Sequence, residues 1–177
     1  YECWASGTGT LMLLGDKCTR ACAFCDVQTG RPGEVDWDEP QRAAEAVAAM
    51  ELRHAVLTSV NRDDLDDGGA AIFAQTVDRI RDLVPNCDVE VLIPDFKGDR
   101  GALETVMSAK PAVLNHNTET VLRLQRDIRT AAAWLAAAAA ATATTPVALL
   151  GIRLGGALAL SAAAALHAVR TVALWDP

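Results

Sequence analysis

The 177-residue sequence is poor in positive charge: 16 lysines and arginines stand against 23 aspartates and glutamates, for a formal net charge of -7. With no basic field to attract phosphates, nucleic acid is excluded as a partner. No segment with a basic start and an apolar core marks a secretory signal at the N-terminus, so a reduced, cytoplasmic chain is expected rather than a disulfide framework. Gly7-Thr-Gly9 lacks both the preceding strand and the spacing of a dinucleotide loop and is no sign of NAD. Residues 131–152 carry no charge, but alanine partitions weakly into lipid and Pro146 interrupts the run, so a membrane span is not expected.

What is present is enough apolar surface to fold: 51% of residues are hydrophobic and the mean hydropathy is +0.15, which excludes a disordered chain. Charge is unevenly placed. Beyond residue 130 only Arg153, Arg170 and Asp176 are charged, and 19 of the 47 residues are alanine. That shift suggests two segments, 1–130 and 131–177, joined near Thr130, and a chain running from Tyr1 to Pro177 reads as a fragment.

The first segment alternates strand and helix patterns, which implies a parallel sheet covered by helices. Strands are expected at residues 11–15, 54–60, 88–93 and 113–116. Asp38, Glu39 and Pro40 supply cap, acid and first-turn proline for a helix to about Glu51. Ile72, Phe73, Val77, Ile80 and Val84 recur at helical spacing, residues 102–109 read as a short helix, and Val121, Leu124 and Ile128 mark another inner face. Periodicity does not choose between a (β/α) barrel and a doubly wound sheet; both place chemistry at the C-terminal ends of the strands.

Five cysteines fall before residue 88, three of them in Cys18-Thr-Arg-Ala-Cys22-Ala-Phe-Cys25 directly after the first strand. Three thiolates on one loop suit a cubic iron–sulfur cluster with one iron left open. The competing reading is a zinc site completed by His54, His116 or Cys87. The acidic run Asp63, Asp64, Asp66 and Asp67 is expected to be solvated rather than metal-binding, and Gly68-Gly69 to free the backbone at a helix start, with close approach to a ligand as the sharper alternative.

The CxxxCxxC loop resembles that of radical S-adenosylmethionine (SAM) enzymes, and the surrounding motifs resemble lipoyl synthases. These are Glu2-Cys3-Trp4, Leu14-Gly-Asp-Lys-Cys-Thr-Arg20, Thr29-Gly-Arg-Pro32, the stretch from Thr58 to Ala70, Glu90-Val-Leu-Ile-Pro-Asp-Phe96 and Leu114-Asn-His-Asn-Thr-Glu-Thr-Val121. The resemblance spans about residues 1–130 and implies part of a parallel (β/α) barrel of radical SAM type. It implies a 4Fe-4S cluster on Cys18, Cys22 and Cys25, whose open iron binds the amino and carboxylate groups of SAM, and one-electron cleavage of the sulfonium to a 5′-deoxyadenosyl radical. The implied reaction is sulfur insertion at C6 and C8 of an octanoyl chain on a carrier lysine, with a second, auxiliary 4Fe-4S cluster as sulfur donor.

Residue by residue, Phe24 takes the aromatic position near the adenine, Thr58, Ser59 and Asn61 that of the methionine end, and Asn115, Asn117 and Glu119 that of ribose recognition. Cys3 matches one auxiliary-cluster ligand whose companions are missing from this chain, so sulfur insertion by this chain alone is not expected. The implied partners are an octanoylated lipoyl carrier domain or glycine cleavage H protein and an electron donor such as ferredoxin or flavodoxin. A noncatalytic iron- or zinc-binding fragment remains the alternative.

In the second segment, residues 146–150 read as a strand, Gly151-Ile-Arg-Leu-Gly155 as a tight turn, 156–168 as a helix and 171–174 as a strand. This strand-turn-helix-strand resembles the nucleophile elbow of α/β-hydrolases, in particular exosortase-associated hydrolase-like proteins, with Arg153 where GxSxG has serine. A guanidinium is no nucleophile, so only a catalytically dead hydrolase-like module is implied. The expectation is a chimeric chain. A further option is that the strands of this tail extend the first segment's sheet.

Overall fold

The structure is a computed structural model, and it describes residues 5–22, 25–118, 147–152 and 169–175. In chain order the elements are β1 (Thr8–Leu13), β2 (Lys17–Cys18), β3 (Gln28–Thr29), α1 (Glu39–Ala49), β4 (His54–Ser59), α2 (Ala70–Leu83), β5 (Asp88–Leu92), a 3-10 turn (Phe96–Gly98), α3 (Arg100–Ser108), β6 (Val113–Asn115), β7 (Asn117–Thr118), β8 (Val147–Ile152) and β9 (Val169–Trp175).

Among the described residues the main sheet has seven strands, all pairing in parallel in the order β1-β4-β5-β6-β8-β7, with β9 on β8. A short parallel ladder joins β2 to β3. The first four strands of the sheet follow the chain without a reversal, and α1 packs on α2 and α2 on α3. A doubly wound sheet needs a switch in strand order to send helices to both faces, so this is one wall of a barrel. β8 and β9 come from beyond residue 130 and lie in the same sheet, β8 against β6 through Leu114 and Val147.

The strands alternate faces. Ala55, Leu57, Val89, Val91 and Leu114 are buried beneath the helices, where Ala44, Val47, Ile72, Phe73, Ile80, Leu103 and Val106 meet them. His54, Val56, Thr58, Glu90, Leu92, Val113 and Asn115 occupy the other face and are half-buried. The apolar stripe of α2 falls where its spacing predicts, although the helix ends at Leu83 and leaves Val84 as its C-cap.

Boundaries shift for local reasons. β1 begins at Thr8 rather than residue 11, because it takes the sheet edge and exposed Thr10 and Met12 interrupt its apolar pattern. Asp38 stands at the N-cap of α1 in helical φ/ψ (-91°, -8°), so its side chain makes no cap bond. Glu39 instead turns away from the helix and its two carboxylate oxygens accept the Leu14 N–H at 3.1 and 2.9 Å. The expected helices around residues 121–128 and 156–168, and a junction helix that alanine's propensity favours over 131–141, lie outside the described residues, as do Arg153 and Asp176. β8 runs through Ile152, two residues into the expected turn.

Gly69 is the close-packed point before α2: its φ is +91°, and an added Cβ would lie 2.2 Å from Leu14 Cδ1. The backbone freedom expected of Gly68-Gly69 at a helix start is seen in their positive φ, and a Cβ on Gly68 would likewise meet the Phe96 ring at 2.9 Å. Gly69→Ala combines positive-φ strain with a clash and should cost about 1–3 kcal/mol, read as a lower urea midpoint at unchanged m-value.

Candidate functional site

The C-terminal ends of β1, β4, β5 and β6 converge on one side of the sheet, and the cysteine loop leaves from the first of them. Leu14 and Gly15 turn the chain with φ of 68° and 90°, held by the Glu39 carboxylate. Cys18 then lies buried in β2 and pairs with Thr29, its carbonyl accepting the Gly30 N–H at 3.0 Å. Its Sγ accepts the Arg20 N–H at 3.4 Å. Cys22 and Cys25 are exposed and close a turn through Cys25 N–H to the Cys22 carbonyl at 3.0 Å. Phe24, Cys3 and Glu119 lie outside the described residues.

Two neighbouring loops clamp this segment. Thr19 donates from its N–H and its hydroxyl to the Asn61 carbonyl, at 3.1 and 3.0 Å, and its Oγ1 accepts the Asp63 N–H at 3.0 Å. Arg20 forks between two carboxylates: Nε and Nη2 donate to Asp63 at 2.7 and 2.8 Å, and Nη1 and Nη2 to Asp95 at 2.7 and 2.8 Å. These hydrogen bonds, from Asp63 first and Asp95 second, raise the guanidinium pKa, and Arg20 holds the Asp95 carboxyl below its usual range against the opposing effect of burial.

The acidic run is partly drawn into the structure, although Asp64 and Asp66 stay exposed. Asp63 takes Arg20, Asp64 pairs with the buried Arg62, and Asp67 accepts the Gly69 and Ala71 N–H groups at the start of α2, each at 2.8 Å. Arg62 also donates to the Gly33 carbonyl at 2.9 Å, tying down the segment before α1. The Asp95 loop is strained, with φ of 44° at Phe96 and 53° at Lys97. It is held by the Asp95 side chain on the Lys97 N–H, by Lys97 Nζ on the Asp63 carbonyl at 2.7 Å, and by an edge-on Phe96–Phe73 contact.

Three polar atoms near the strand ends are buried without a partner: Ser59 Oγ, Asn115 Oδ1 and Asn117 Oδ1. Buried polar atoms are normally satisfied, so the two asparagine oxygens, at the end of β6 and in β7, mark a place where a polar ligand completes the structure, whereas Ser59 follows Thr58 and by alternation stands on the helix-facing side. Thr58 stands opposite Met12 in register, on the same face as Asn115. Asn61 contributes its carbonyl to the clamp.

Two of the three residues that could complete a zinc site lie far from the cysteine loop. His54 and Cys87 lie at the strand starts, roughly 17 Å back along β4 and β5 from the cysteine loop. His54 Nε2 is bonded to Glu90 at 2.9 Å and His116 Nδ1 to the Ile93 carbonyl at 2.9 Å. Among the described residues no three His, Cys, Asp or Glu side chains stand close enough to share one ion. The donor chemistry of Cys18, Cys22 and Cys25 fits an iron–sulfur cluster, and the unpartnered acceptors fit a nucleoside ligand beside it. Drawing three mutually repelling thiolates together is work that bound metal performs. Sequence reasoning passed over Arg20, Glu39, Glu90 and Asp95 as contact residues; the one signal for Arg20 and Asp95 was their place inside the quoted motifs.

The model of the radical SAM superfamily matches residues 12–152, across the composition change at residue 130. The chain is 60% identical over 128 residues to a lipoyl synthase of Rubrobacter xylanophilus, covering 72% of this chain and 40% of that protein. It is 58% identical over 131 residues to one of Koribacter versatilis, covering 74% and 43%. A mitochondrial lipoyl synthase of Nematostella vectensis is 52% identical over 128 residues, covering 72% and 44%. The chain thus spans about two fifths of the length of these curated relatives. Among solved structures, methylornithine synthase superposes with a TM-score of 0.63 at 10% identity, covering 95% of this chain and 53% of that one. Coproporphyrinogen III oxidase from Escherichia coli superposes at 0.54 with 12% identity, covering 99% and 46%. At such identities these two speak for the fold alone. No helix among the described residues is long and apolar enough to cross a membrane.

Proposed function

This chain belongs to the radical SAM superfamily, and from that premise we propose that it is the SAM-binding part of a lipoyl synthase. The complete protein then inserts sulfur into octanoyl groups on lipoyl carrier domains. The observation that carries the reading is the placement of a three-thiol loop beside strand ends that bury the unpartnered Asn115 and Asn117 oxygens.

In this reading Cys18, Cys22 and Cys25 hold a 4Fe-4S cluster. Bound there, the cluster would supply the one-electron chemistry needed to cleave the sulfonium of SAM. Thr58, Ser59 and Asn61 meet the amino-acid end of SAM, Asn115, Asn117 and Glu119 its ribose, and Phe24 its adenine. Arg20, Asp63 and Asp95 keep the thiol loop seated on the sheet. Cys3 belongs with an auxiliary cluster completed by ligands outside this chain, and a ferredoxin- or flavodoxin-class donor supplies electrons. A reducing compartment such as the cytoplasm keeps the thiols available.

Residues 1–130 form the lipoyl synthase-like part. The tail extends its sheet with β8 and β9, and its Gly151-Ile-Arg-Leu-Gly155 likeness to a hydrolase elbow brings no hydrolase chemistry, since Arg153 cannot attack a carbonyl. Anaerobic reconstitution with iron and sulfide should yield a reducible four-iron EPR signal that SAM perturbs. A chain that takes up zinc tightly and shows no such signal would refute the reading.

A further inference from the structure

The barrel-facing side of the sheet carries one carboxylate in its middle. Glu90 on β5 stands level with Val56 of β4 and Val113 of β6, on the face away from the helices, and Asn115 stands two residues further along β6, level with Leu92. Glu90 Oε2 is bonded to His54 Nε2 at 2.9 Å, and Glu90 Oε1 accepts a hydrogen bond from the Asn115 Nδ2 amide. An ionised carboxylate only accepts, so both neighbours must donate to it. For Asn115 this settles a choice that its nearly symmetrical amide otherwise leaves open: the NH2 faces Glu90, and Oδ1 faces away. That same Oδ1 is buried and has no partner.

From this arrangement we infer that Glu90 is a positioning residue that orients the Asn115 amide so that its carbonyl oxygen receives a hydroxyl hydrogen of the ligand. The inference rests on the reading that a nucleoside occupies this end of the sheet. It adds that recognition there is polar in one sense: the site offers an acceptor and selects a donor. The order of the relay is His54 Nε2–H to Glu90, Glu90 to Asn115 N–H, and Asn115 Oδ1 to the ligand.

The relay is inverted by a nearly isosteric change. In Glu90→Gln the new amide oxygen takes the His54 proton, and its NH2 then faces Asn115. Asn115 must rotate to accept, and it turns its own NH2 toward the ligand. The E90Q chain, loaded with its cluster anaerobically, should bind SAM about 10-fold more weakly, the range expected when a buried polar pair is mismatched. Deleting a ribose hydroxyl, as in 2′-deoxy or 3′-deoxy SAM, should weaken wild type by a similar factor for one of the two analogues and E90Q by none. Methionine, which lacks the ribose, should bind both chains equally.

Adding Asn115→Asp to E90Q places an acceptor toward each neighbour again, and this double variant should recover SAM affinity to within about threefold of wild type. A merely structural glutamate would show no such rescue. Thermal melts of each variant show that the comparison is between folded chains. If wild type binds SAM and E90Q binds it equally, or if E90Q stays as sensitive to the deleted hydroxyl as wild type, or if the double variant is no better than E90Q, the inference falls while the functional reading stands. If folded, cluster-loaded wild type ignores SAM altogether, both fall.

Discussion

Replacing Cys22 by serine is expected to drop the iron content of the anaerobically reconstituted chain from about four atoms to near zero, together with its EPR signal. A serine hydroxyl stays protonated at neutral pH and is a poor match for iron in place of a soft thiolate. With only three protein ligands to begin with, losing one leaves two thiols to hold a cluster that four sulfides alone do not anchor. Cys22 is the informative site because it is exposed, so the change leaves the core untouched and the melting temperature should not move. Cys18→Ser would lose the cluster as well, but its side chain is buried in β2 and the variant would also disturb packing. Cys87→Ser is the control. Cys87 lies at the opposite end of the sheet, where burial pushes its thiol pKa up and keeps it protonated, so iron and sulfide contents should stay at the wild-type level. Retention of the full cluster in Cys22→Ser would remove the basis for assigning the loop.

The second large effect belongs to Arg20. Its guanidinium makes four hydrogen bonds that tie the cysteine loop to the loops after β4 and β5, at side chains less than one-third exposed on the arginine and on Asp63. Removing it leaves Asp63 and Asp95 facing each other with no cation between them, apart from the more distant Lys97 Nζ at 4.0 Å from Asp63. Breaking such a partly buried network should cost about 2 kcal/mol, less than for a fully buried pair because solvent screens it. Arg20→Gln should therefore raise amide hydrogen exchange in residues 17–30 and lower the yield of cluster, more than it lowers global stability. Arg20→Lys keeps the charge without the planar fork and should recover only part of the loss. Equal exchange in the 17–30 segment of wild type and Arg20→Gln would show that the clamp is idle.

The same network sets an acid limit. Arg20 lowers the Asp95 pKa in the folded chain, so the stabilisation it contributes is complete above the ordinary carboxylate value near 3.9 and is lost as pH falls through the lower, folded value. The protection factors of the loop amides, which divide out the slowing of intrinsic base-catalysed exchange as pH falls, should be flat from pH 7 down to about 5 and should drop only below about 4.

Much of this was legible from order along the chain. Three cysteines at fixed spacing after an apolar run and strands alternating with amphipathic helices are local patterns, and local patterns survive reading in one dimension. The helix-facing side of β5 follows from Val89 and Val91 alternating with Asp88 and Glu90, whereas apolar, half-buried Val56 and Val113 blur the alternation in β4 and β6. The roles of Arg20, Glu39 and Glu90 were not legible. Arg20 meets partners 43 and 75 residues away, and Glu39 reaches back 25 residues to Leu14. No periodicity encodes a pairing at such distances. The contacts of the acidic run after β4 were hidden for the same reason: Asp64 and Asp66 are exposed as expected, but only the fold brings Arg20 to Asp63, Arg62 to Asp64 and a helix start to Asp67.

By itself the sequence determined which atoms could hold iron and that they stand on a loop after a strand, because both depend on neighbours a few residues apart. Only the tertiary structure decided that His54 and Cys87 lie at the far end of the sheet from that loop, that Arg20 docks it, and that Asn115 turns an unmatched oxygen outward. Those facts depend on parallel strand register, which carries residues from distant parts of the chain to one shared edge.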